Sequence, residues 1–377
     1  MIRDACLRDL TRLVEIENLA FDVDRLSRRS FRYLLTKANS SNLVFEDDGR
    51  ILGYVTVLFN TGTSLARMYS LAVDPDARGR GIAQQLIAAA EENTLLNDCI
   101  SLRLEVRRDN PHAIKLYEKM GYRMFGSYSD YYEDHMEALR FEKRLVPSLK
   151  PELARVPYYE QTLDFTCGPS ALMMAMKALQ PEIKLTRKLE LRLWRESTTI
   201  FMTSGHGGCG PYGLALAAYN LGFDVEVYVN ERGGFFLDSV RSEEKKEVMR
   251  LVQEDFIGQL KKLPVKIHYR TPKVAELQEL FEQGGIPVVL ISSYRIYKEK
   301  FPHWVVMTGY DQKYFYMHDP YVDYETGKVA MDCINMSILK KDFERMAKYG
   351  KAGQKAALIL RRRTGGGGDL LKSDLGV

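Results

Sequence analysis

The stretch that decides the fold of the first half of the chain reads YSLAVDPDARGRGIAQQL, residues 69–86. An apolar run predicts a strand through Val73, and a helical pattern extends from about Gly81 to Asn97, with Gly79 in the turn between them. A helix N-terminus leaves backbone N–H groups without partners and its dipole favours anions, while glycine allows close approach of a phosphate. The stretch therefore fits a pyrophosphate cradle or, as the alternative, a tight strand-to-helix connection.

The two glycines of this turn match neither of two common phosphate-binding signatures. No Gly-Lys-Ser/Thr follows them, which excludes a Walker loop, and the GxGxxG spacing of dinucleotide-binding domains is absent from the turn.

Strand and helix patterns alternate around this stretch, which predicts an α/β domain. We predict helices over 10–20 and 111–120, the second stopped by Gly121, and a hairpin around the turn 47–49. The predicted strands are 43–45, 51–59, 66–73, 102–106 and a long one over 131–145.

A second motif follows the cradle, and together the two resemble a known family. Arg78, Gly81 and Ala83 fill the pattern Arg/Gln-x-x-Gly-x-Gly/Ala of motif A of the GNAT acetyltransferases. Residues 104–122, LEVRRDNPHAIKLYEKMGY, resemble motif B, in the branch that acetylates the N-terminal amine of a ribosomal protein. The resemblance covers residues 1 to about 145 and implies a mixed sheet flanked by helices.

The resemblance implies acetyl-CoA as cosubstrate and places it on named residues. The pantetheine arm would pair with the strand before motif A, and the pyrophosphate would sit on N–H groups of the loop, with Asn110 as a further contact. The implied cofactor-binding residues are Leu71, Ala72, Val73, Arg78, Gly79, Arg80, Gly81, Ile82, Ala83, Gln84 and Asn110.

Two further residues match catalytic positions of that branch: Glu105 as the base and Tyr117 as the acid that protonates the departing thiolate. The chemistry needs such groups, because an amine is protonated at neutral pH and must lose a proton before attack. The alternatives are a surface Glu105 paired with Arg103 or Arg107, and a Tyr117 packed under the sheet.

A second constellation lies in the other half of the chain. Residues 156–172 read VPYYEQTLDFTCGPSAL, so Cys167 stands at the start of a predicted helix, where the thiolate is favoured. Gln161, six residues upstream, can donate to an oxyanion. His303 opens one predicted strand and Asp319 follows the next, so adjacent antiparallel strands would let the aspartate orient the imidazole.

This set resembles the papain-like peptidases that remove double-glycine leaders. Their pattern has Gln six residues before Cys-Gly, a His opening an apolar strand, and Asp-Pro about sixteen residues later, as between His303 and Asp319. The resemblance covers roughly 155–325 and implies an α+β papain-like domain acting on a peptide. Three departures concern the substrate: Thr166 stands where Asp is usual, no transporter segment follows, and the loop 205–213 has no counterpart.

Other interpretations of this half stay open. Cys167 and His303 can each be core residues, and His318 is a rival for the base. His206 and Cys209 have a zinc-like spacing but lack a second pair, so we expect no metal and interpret 205–213 as lining a peptide groove.

The domain organisation follows from these motifs and from composition. We predict an acetyltransferase domain over 1–145, a proline-containing linker over 146–157, a papain-like domain over 158–364 and a flexible glycine-rich tail over 365–377. In the second domain we predict helices over 168–179, 187–200, 211–221, 243–262 and 272–284, and strands over 286–292, 303–310, 313–318 and 355–361.

Composition excludes several classes of protein. A formal net charge of +4 over 377 residues is too diffuse to indicate nucleic-acid binding, and no apolar run is long enough to cross a bilayer. The first residues lack a signal-peptide pattern, so we expect a cytoplasmic protein whose five cysteines are free thiols.

Three functional hypotheses follow for a peptide or protein substrate. The chain is an acetyltransferase joined to a cysteine peptidase, to a non-cleaving peptide-binding module, or to a thioester-forming acyl or peptidyl transferase. The complete set Gln161, Cys167, His303 and Asp319 favours chemistry over binding alone.

Overall fold

The computed structural model describes residues 1–149, 151–199, 207–299 and 301–363. The chain divides into two compact units, Met1–Leu149 and Lys150–Val377, and each is described by itself. Two predicted features, His206 and the glycine-rich tail 365–377, lie outside the described residues.

The first unit is a seven-stranded mixed sheet with helices on both faces. The strand order is β1-β2-β3-β4-β5-β7-β6, and all neighbours are antiparallel except β4 and β5. Helix α3 packs on β2, β3 and β4, while α1 packs on β3 and β4. The elements are β1 Ile2–Asp4, α1 Leu10–Ala20, α2 Arg28–Thr36, β2 Ser40–Asp47, β3 Arg50–Phe59, β4 Leu65–Val73, α3 Ile82–Leu96, β5 Ser101–Arg107, α4 Pro111–Lys119, β6 Arg123–Tyr128 and β7 Ala138–Arg144.

Most elements predicted for this unit are confirmed, but the long strand over 131–145 is wrong. The observed strand β7 begins at Ala138, and the edge strand β6 precedes it. Between them, Asp130 and His135 adopt positive φ angles of 58° and 65°, which an extended strand does not allow. The aromatic-rich run 128–132 therefore spans a strand end and a turn. The prediction also missed β1 and α2.

The second unit is built on an eight-stranded sheet. The path is β10-β9-β15-β11-β12-β13-β14, and β8 pairs with β12. The elements are β8 Glu152–Leu153, α5 Cys167–Leu179, α6 Arg187–Ser197, α7 Pro211–Asn220, β9 Phe223–Val229, α8 Glu243–Leu260, β10 Lys266–His268, α9 Val274–Glu282, β11 Ile286–Ser292, α10 Tyr294–Tyr297, β12 Pro302–Tyr310, β13 Tyr314–His318, β14 Met336–Leu339, α11 Lys340–Met346 and β15 Ala356–Arg362.

The predicted order of helices first and sheet later is incomplete in this α+β unit, because β8, β9 and β10 precede β11 and the helices α10 and α11 lie among the later strands. Strand β9 lies between α7 and α8 and pairs with β15 and β10. Its sequence FDVEVYV alternates apolar and polar residues, which is a strand signal that the prediction passed over. Helix α5 packs on β11, β12 and β15, which brings the start of α5 against the centre of the sheet.

Part of the segment predicted as a linker belongs to the second unit. Strand β8 pairs with β12 through Leu153 opposite Gly309, and the Ala154 N–H donates to the Thr308 carbonyl over 2.8 Å. Val156 lies in the core of this unit. Residues 152–156 therefore belong to the second unit and not to a linker.

Across the described ranges, no helix has the length and apolar character required to span a bilayer.

Candidate active sites

A wedge between two parallel strands forms the centre of the first site. Strands β4 and β5 pair only from Leu65 opposite Ser101 to Arg67 opposite Arg103, although β4 continues to Val73. On the β3 side, Thr56 faces Ser70 and Val57 faces Met68, so one β4 residue bulges between them. Beyond this point the β4 edge that faces β5 is open, and the predicted residues Leu71, Ala72 and Val73 lie on it.

The loop after β4 opens towards the N-terminus of α3. Gly79 and Gly81 have φ angles of +79° and +74°, which favour glycine, and no heavy atom lies within 4 Å of an added Cβ at either residue. The first helical hydrogen bond runs from Gln85 N–H to the Gly81 carbonyl over 3.2 Å. The N–H groups of 82–84 thus belong to the first turn, where no intrahelical acceptor exists. This geometry fits an anion of pyrophosphate size.

Two other predicted loop and helix residues have structural contacts. The Arg80 guanidinium pairs with Asp47 at 2.6 Å on the surface. Asn110 caps α4, because its Oδ1 accepts a hydrogen bond from the Ala113 N–H over 3.1 Å. This capping role was not among the predictions.

Glu105 forms a buried ion pair. Its Oε2 lies 3.0 Å from Arg67 Nε, and the two side chains are only 6% and 5% exposed. The alternative of a surface Glu105 is wrong, since its side chain is buried and pairs with Arg67. The sequence carried no signal for Arg67, which reaches Glu105 from the neighbouring strand at the point where the wedge opens.

Tyr117 lies inside the core of the first unit. Its ring packs against Tyr122 and Phe141, with centroid distances of 5.7 and 6.5 Å. Burial raises the pKa of Tyr117 above the usual range, so the hydroxyl keeps its proton at neutral pH. The side chain is therefore packed under the sheet and is also in the protonated form that a general acid needs.

The second site begins at the N-terminus of α5. Cys167 is the first residue of this helix and is partly exposed. An added Cβ at Gly168 would lie 3.2 Å from Trp304 Cδ1, so glycine allows the helix start to approach β12 closely. Pro169 carries no N–H, which leaves the Cys167 and Gly168 N–H groups as the first-turn donors beside the thiol.

His303 and Asp319 meet beneath this helix. His303 Nε2 lies 2.5 Å from Asp319 Oδ1, and their side chains are 1% and 0% exposed. Because Nε2 faces the carboxylate, the other ring nitrogen is available to the thiol. Burial lowers the pKa of His303, but the Asp319 charge and hydrogen bond and the interaction with the Cys167 thiol raise it to about 10 overall. The structure thus brings three of the predicted catalytic residues together.

The Asp319 carboxylate has two further donors. The Tyr297 hydroxyl donates to Oδ2 over 2.7 Å, and the Tyr321 N–H donates to Oδ1 over 2.8 Å. Tyr297, Tyr321 and Phe301 also surround the His303 ring edge-on, at centroid distances of 6.0, 6.2 and 5.7 Å. The sequence analysis missed Tyr297, and no motif in the sequence indicates it.

Gln161 lies in the same cluster. Its N–H donates to the Pro320 carbonyl over 2.9 Å, which ties it to the residue after Asp319. Its side-chain Nε2 donates to the Leu163 carbonyl over 2.9 Å, so an oxyanion would have to use the second proton on this nitrogen. The side chain is 9% exposed, and therefore its amide is fixed rather than mobile.

The rival base, His318, has a structural role. One ring nitrogen, Nε2, lies 2.9 Å from the Val156 carbonyl and must donate to it. The other, Nδ1, accepts a hydrogen bond from the Asn335 N–H over 2.9 Å. A ring held on both sides by backbone groups is fixed as the neutral tautomer with its proton on Nε2.

Cys209 is also accounted for by its contacts. It is buried, Ser197 donates to its sulfur over 3.2 Å, and Trp304 Nε1 donates to its carbonyl over 3.0 Å. Burial raises the pKa of Cys209 to about 12. His206, which with Cys209 has the zinc-like spacing, is outside the described residues, within which no group of three or more metal-ligating side chains occurs.

Both units of the chain match known families. Residues 10–122 match the acetyltransferase (GNAT) family, and residues 156–361 match the Peptidase_C39 like family. A Bacillus subtilis protein named as a candidate ribosomal protein bS18-alanine N-acetyltransferase is 30% identical over 136 residues, which cover 36% of this chain and 89% of that protein. An acetyltransferase of Pectobacterium atrosepticum is 41% identical over 80 residues, which cover 21% of this chain and 55% of that protein.

Two solved structures of other proteins match part of this chain. The Escherichia coli ribosomal-protein-S18-alanine N-acetyltransferase covers 38% of this chain and 93% of its own, with a TM-score of 0.36 and 23% identity. Arabidopsis thaliana NAA60 in complex with acetyl-CoA covers 38% and 97%, with a TM-score of 0.35 and 21% identity. By its sequence, this chain belongs to the Peptidase_C39 like family through its second unit and to the GNAT acetyltransferase family through its first.

Proposed function

We propose that the chain is a bifunctional enzyme. The first unit transfers the acetyl group of acetyl-CoA to an amine, such as the N-terminus of a peptide or protein. The second unit cleaves a peptide bond with Cys167 as nucleophile. The observation that carries this proposal is the cluster of the partly exposed Cys167 with the buried His303 and Asp319 at a helix N-terminus, in a chain whose other unit belongs to the GNAT family.

The first unit offers backbone groups that fit acetyl-CoA. The open β4 edge would pair with the amides of the pantetheine arm, and the glycine loop with the α3 N-terminus would bind the pyrophosphate. Glu105 would take a proton from the amine, directly or through water, and Tyr117 would return a proton to the leaving thiolate. The Arg67 guanidinium lies beside this carboxyl group, 3.0 Å from its Oε2.

In the second unit, His303 and Cys167 would share one proton. The thiolate attacks the peptide carbonyl, and the C–O electron pair moves to oxygen, where the Cys167 N–H and the Gln161 amide can stabilise it. The imidazolium of His303 then protonates the leaving amine, and water hydrolyses the thioester. Asp319 holds the ring in the orientation that each transfer needs.

Labelling with a thiol-reactive probe tests the second activity. Five cysteines are present, so each serves as an internal reference for the others. We expect iodoacetamide to alkylate Cys167 faster than Cys6 and Cys333, measured by peptide mass spectrometry at neutral pH. Equal rates at these three cysteines would contradict a catalytic Cys167.

Titration with acetyl-CoA tests the first activity. Gly81→Glu places a carboxylate in the proposed pyrophosphate site, so we expect the affinity for acetyl-CoA to fall at least about tenfold. Gly121→Glu is a matched control, because Gly121 also has a positive φ, of 90°, but follows α4 instead of the loop. Absence of binding by the unmodified chain, or equal losses in both variants, would contradict the assignment.

Products distinguish the proposal from its alternatives. A peptide library would be incubated with the chain and acetyl-CoA and analysed by mass spectrometry for acetylated and cleaved species. Shortened peptides indicate hydrolysis, peptides joined to an added amine indicate transfer, and unchanged peptides that still protect Cys167 from iodoacetamide indicate a binding module.

A further inference from the structure

A buried carboxyl group lies beside the second site, and the catalytic scheme above does not use it. Glu190 is on α6 and is 0% exposed. Placing a carboxyl group out of contact with water is costly unless hydrogen bonds compensate it. The hydrogen-bond partners of Glu190 therefore indicate the role of this buried side chain.

All the described donors to Glu190 come from one segment, residues 159–170. Thr162 donates twice, from its N–H to Oε1 and from its hydroxyl to Oε2, each over 2.8 Å. The Tyr159 hydroxyl donates to Oε2 over 2.9 Å, the Thr166 hydroxyl to Oε1 over 2.5 Å, and the Ser170 hydroxyl to Oε1 over 3.4 Å. A carboxylate offers about four lone-pair sites, so these five hydrogen bonds use its full acceptor capacity.

That segment carries both Gln161 and Cys167. Thr162, which donates two hydrogen bonds to Glu190, is the neighbour of Gln161, and Thr166 is the neighbour of Cys167. One oxygen, Oε1, accepts hydrogen bonds from both Thr162 and Thr166. A single atom of α6 therefore fixes the distance between these two threonines. Ser170 extends this contact into the first turns of α5.

We propose that Glu190 is a positioning residue that sets the oxyanion donor Gln161 relative to the nucleophile Cys167. This inference rests on the proposed peptidase function. It also gives a physical account of Thr166, whose hydroxyl meets a carboxyl group supplied by α6. Glu190 touches neither Cys167 nor a reacting atom, and it acts only through the chain segment that it holds.

The inference predicts different effects on two reactions of Cys167, alkylation by iodoacetamide and addition to an aldehyde. Alkylation of Cys167 by iodoacetamide needs the nucleophile but forms no oxyanion. Addition to a peptide aldehyde such as acetyl-Gly-glycinal forms a bond from sulfur to the aldehyde carbon, and the carbonyl oxygen takes the electron pair and then a proton from His303. The aldehyde complex therefore depends on Gln161, whereas alkylation does not.

The test measures how much acetyl-Gly-glycinal protects Cys167 from iodoacetamide in the full-length chain. Glu190→Gln keeps the side-chain size but replaces one acceptor oxygen with an NH₂ donor, so the donors that face that atom lose their acceptor. We expect half-protection to need at least about tenfold more aldehyde, while alkylation without aldehyde changes by less than about threefold. Gln161→Ala should have the same effect.

A double variant shows whether the two residues act together. If Glu190 works by placing Gln161, then Gln161→Ala combined with Glu190→Gln should be no worse than Gln161→Ala alone. Glu196→Gln is the matched control, because Glu196 lies on the same helix and pairs with Arg192 at 2.9 Å. We expect Glu196→Gln to leave both alkylation and protection unchanged.

The outcomes keep the two proposals apart. If the unmodified chain is not alkylated selectively at Cys167, the peptidase function fails. If the unmodified chain is alkylated at Cys167 and protected by the aldehyde, and Glu190→Gln shows the same alkylation and protection, the positioning role is overturned. Parallel losses of alkylation and protection in Glu190→Gln, or additive effects in the double variant, overturn it as well. If Glu190→Gln does not fold, Thr162→Val removes one donor, and unchanged protection in that variant overturns the inference.

Discussion

The two units of this chain build their candidate sites in opposite ways. In the first unit the site is mainly backbone: an open strand edge, two glycines with positive φ and the N–H groups at the start of α3. In the second unit the site is made of side chains from distant segments, held in a buried hydrogen-bond network. A backbone site depends on local conformation, whereas a side-chain site depends on each partner. Substitutions at partner residues should therefore affect the second unit more strongly.

The largest effect is expected at Asp319. Asp319→Asn keeps the shape of the side chain but removes the charge that holds the His303 ring, so we expect peptide cleavage to slow by about 100-fold or more. The affinity for acetyl-CoA should not change. Cleavage kinetics and an acetyl-CoA titration on the same preparation measure both quantities.

A control for Asp319 is available in the same unit. Asp342→Asn removes a carboxylate that pairs with Arg295 at 3.3 Å near the surface. It should leave cleavage unchanged. If Asp319→Asn cleaves peptides about as fast as Asp342→Asn, cleavage does not depend on the side-chain network around Asp319.

The next effect is expected at Glu105, where the first unit also relies on a side chain. We expect Glu105→Gln to lower the acetylation rate by about 100-fold and to keep the affinity for acetyl-CoA. Since the substitution also breaks a buried ion pair, the unit should lose stability. Acetylation kinetics, cofactor titration and thermal unfolding distinguish these effects.

Glu142→Gln is the matched control for Glu105. Glu142 pairs with Arg103 on the same sheet, and its side chain is 18% exposed. Glu142→Gln should lower the free energy of unfolding of the first unit. It should slow acetylation no more than this loss of stability explains. Equal losses of turnover and cofactor affinity in Glu105→Gln would indicate that Glu105 is structural.

A smaller effect is expected at Tyr297. Tyr297→Phe removes the hydroxyl that donates to Asp319 Oδ2, and a hydrogen bond to a charged group contributes about 1.5–3 kcal/mol, so kcat should fall by about tenfold or more with little change in KM. Tyr294→Phe, on the same short helix and 48% exposed, is the control. A kcat ratio near one for both variants would exclude Tyr297 from the network.

The last expected effect is in the pH dependence of stability. Burial lowers the pKa of His303, but the Asp319 charge and hydrogen bond together with the Cys167 interaction raise it from 6.5 to about 10, so the folded state binds the imidazole proton more tightly than the unfolded state. The resulting stabilisation is fully present below about pH 6.5 and is lost as the pH rises through about 10. His303→Gln should therefore flatten the free energy of unfolding of the second unit over this interval. Chemical denaturation at several pH values measures the slope, and an unchanged slope would contradict the pair.

Local patterns in the sequence predicted much of the fold and part of the site. The strand, turn and helix over 69–96 and the helix that starts at Cys167 follow from periodicity and from glycine or proline at the turns, because these fix backbone conformation residue by residue. The strand over 131–145 was predicted wrongly, since its aromatic residues resemble a strand while Asp130 and His135 adopt turn conformations.

The two families, the position of the glycine loop and the candidate residues Gln161, Cys167, His303 and Asp319 could therefore be predicted from the sequence. Only the tertiary structure decided which partners those side chains have. Arg67 meets Glu105 across 38 residues, Glu190 meets Thr166 across 24, and Tyr297 meets Asp319 across 22. Local periodicity fixes which face of an element is buried, but it does not specify which distant polar group compensates a buried charge. That choice depends on how the helices and the sheet pack.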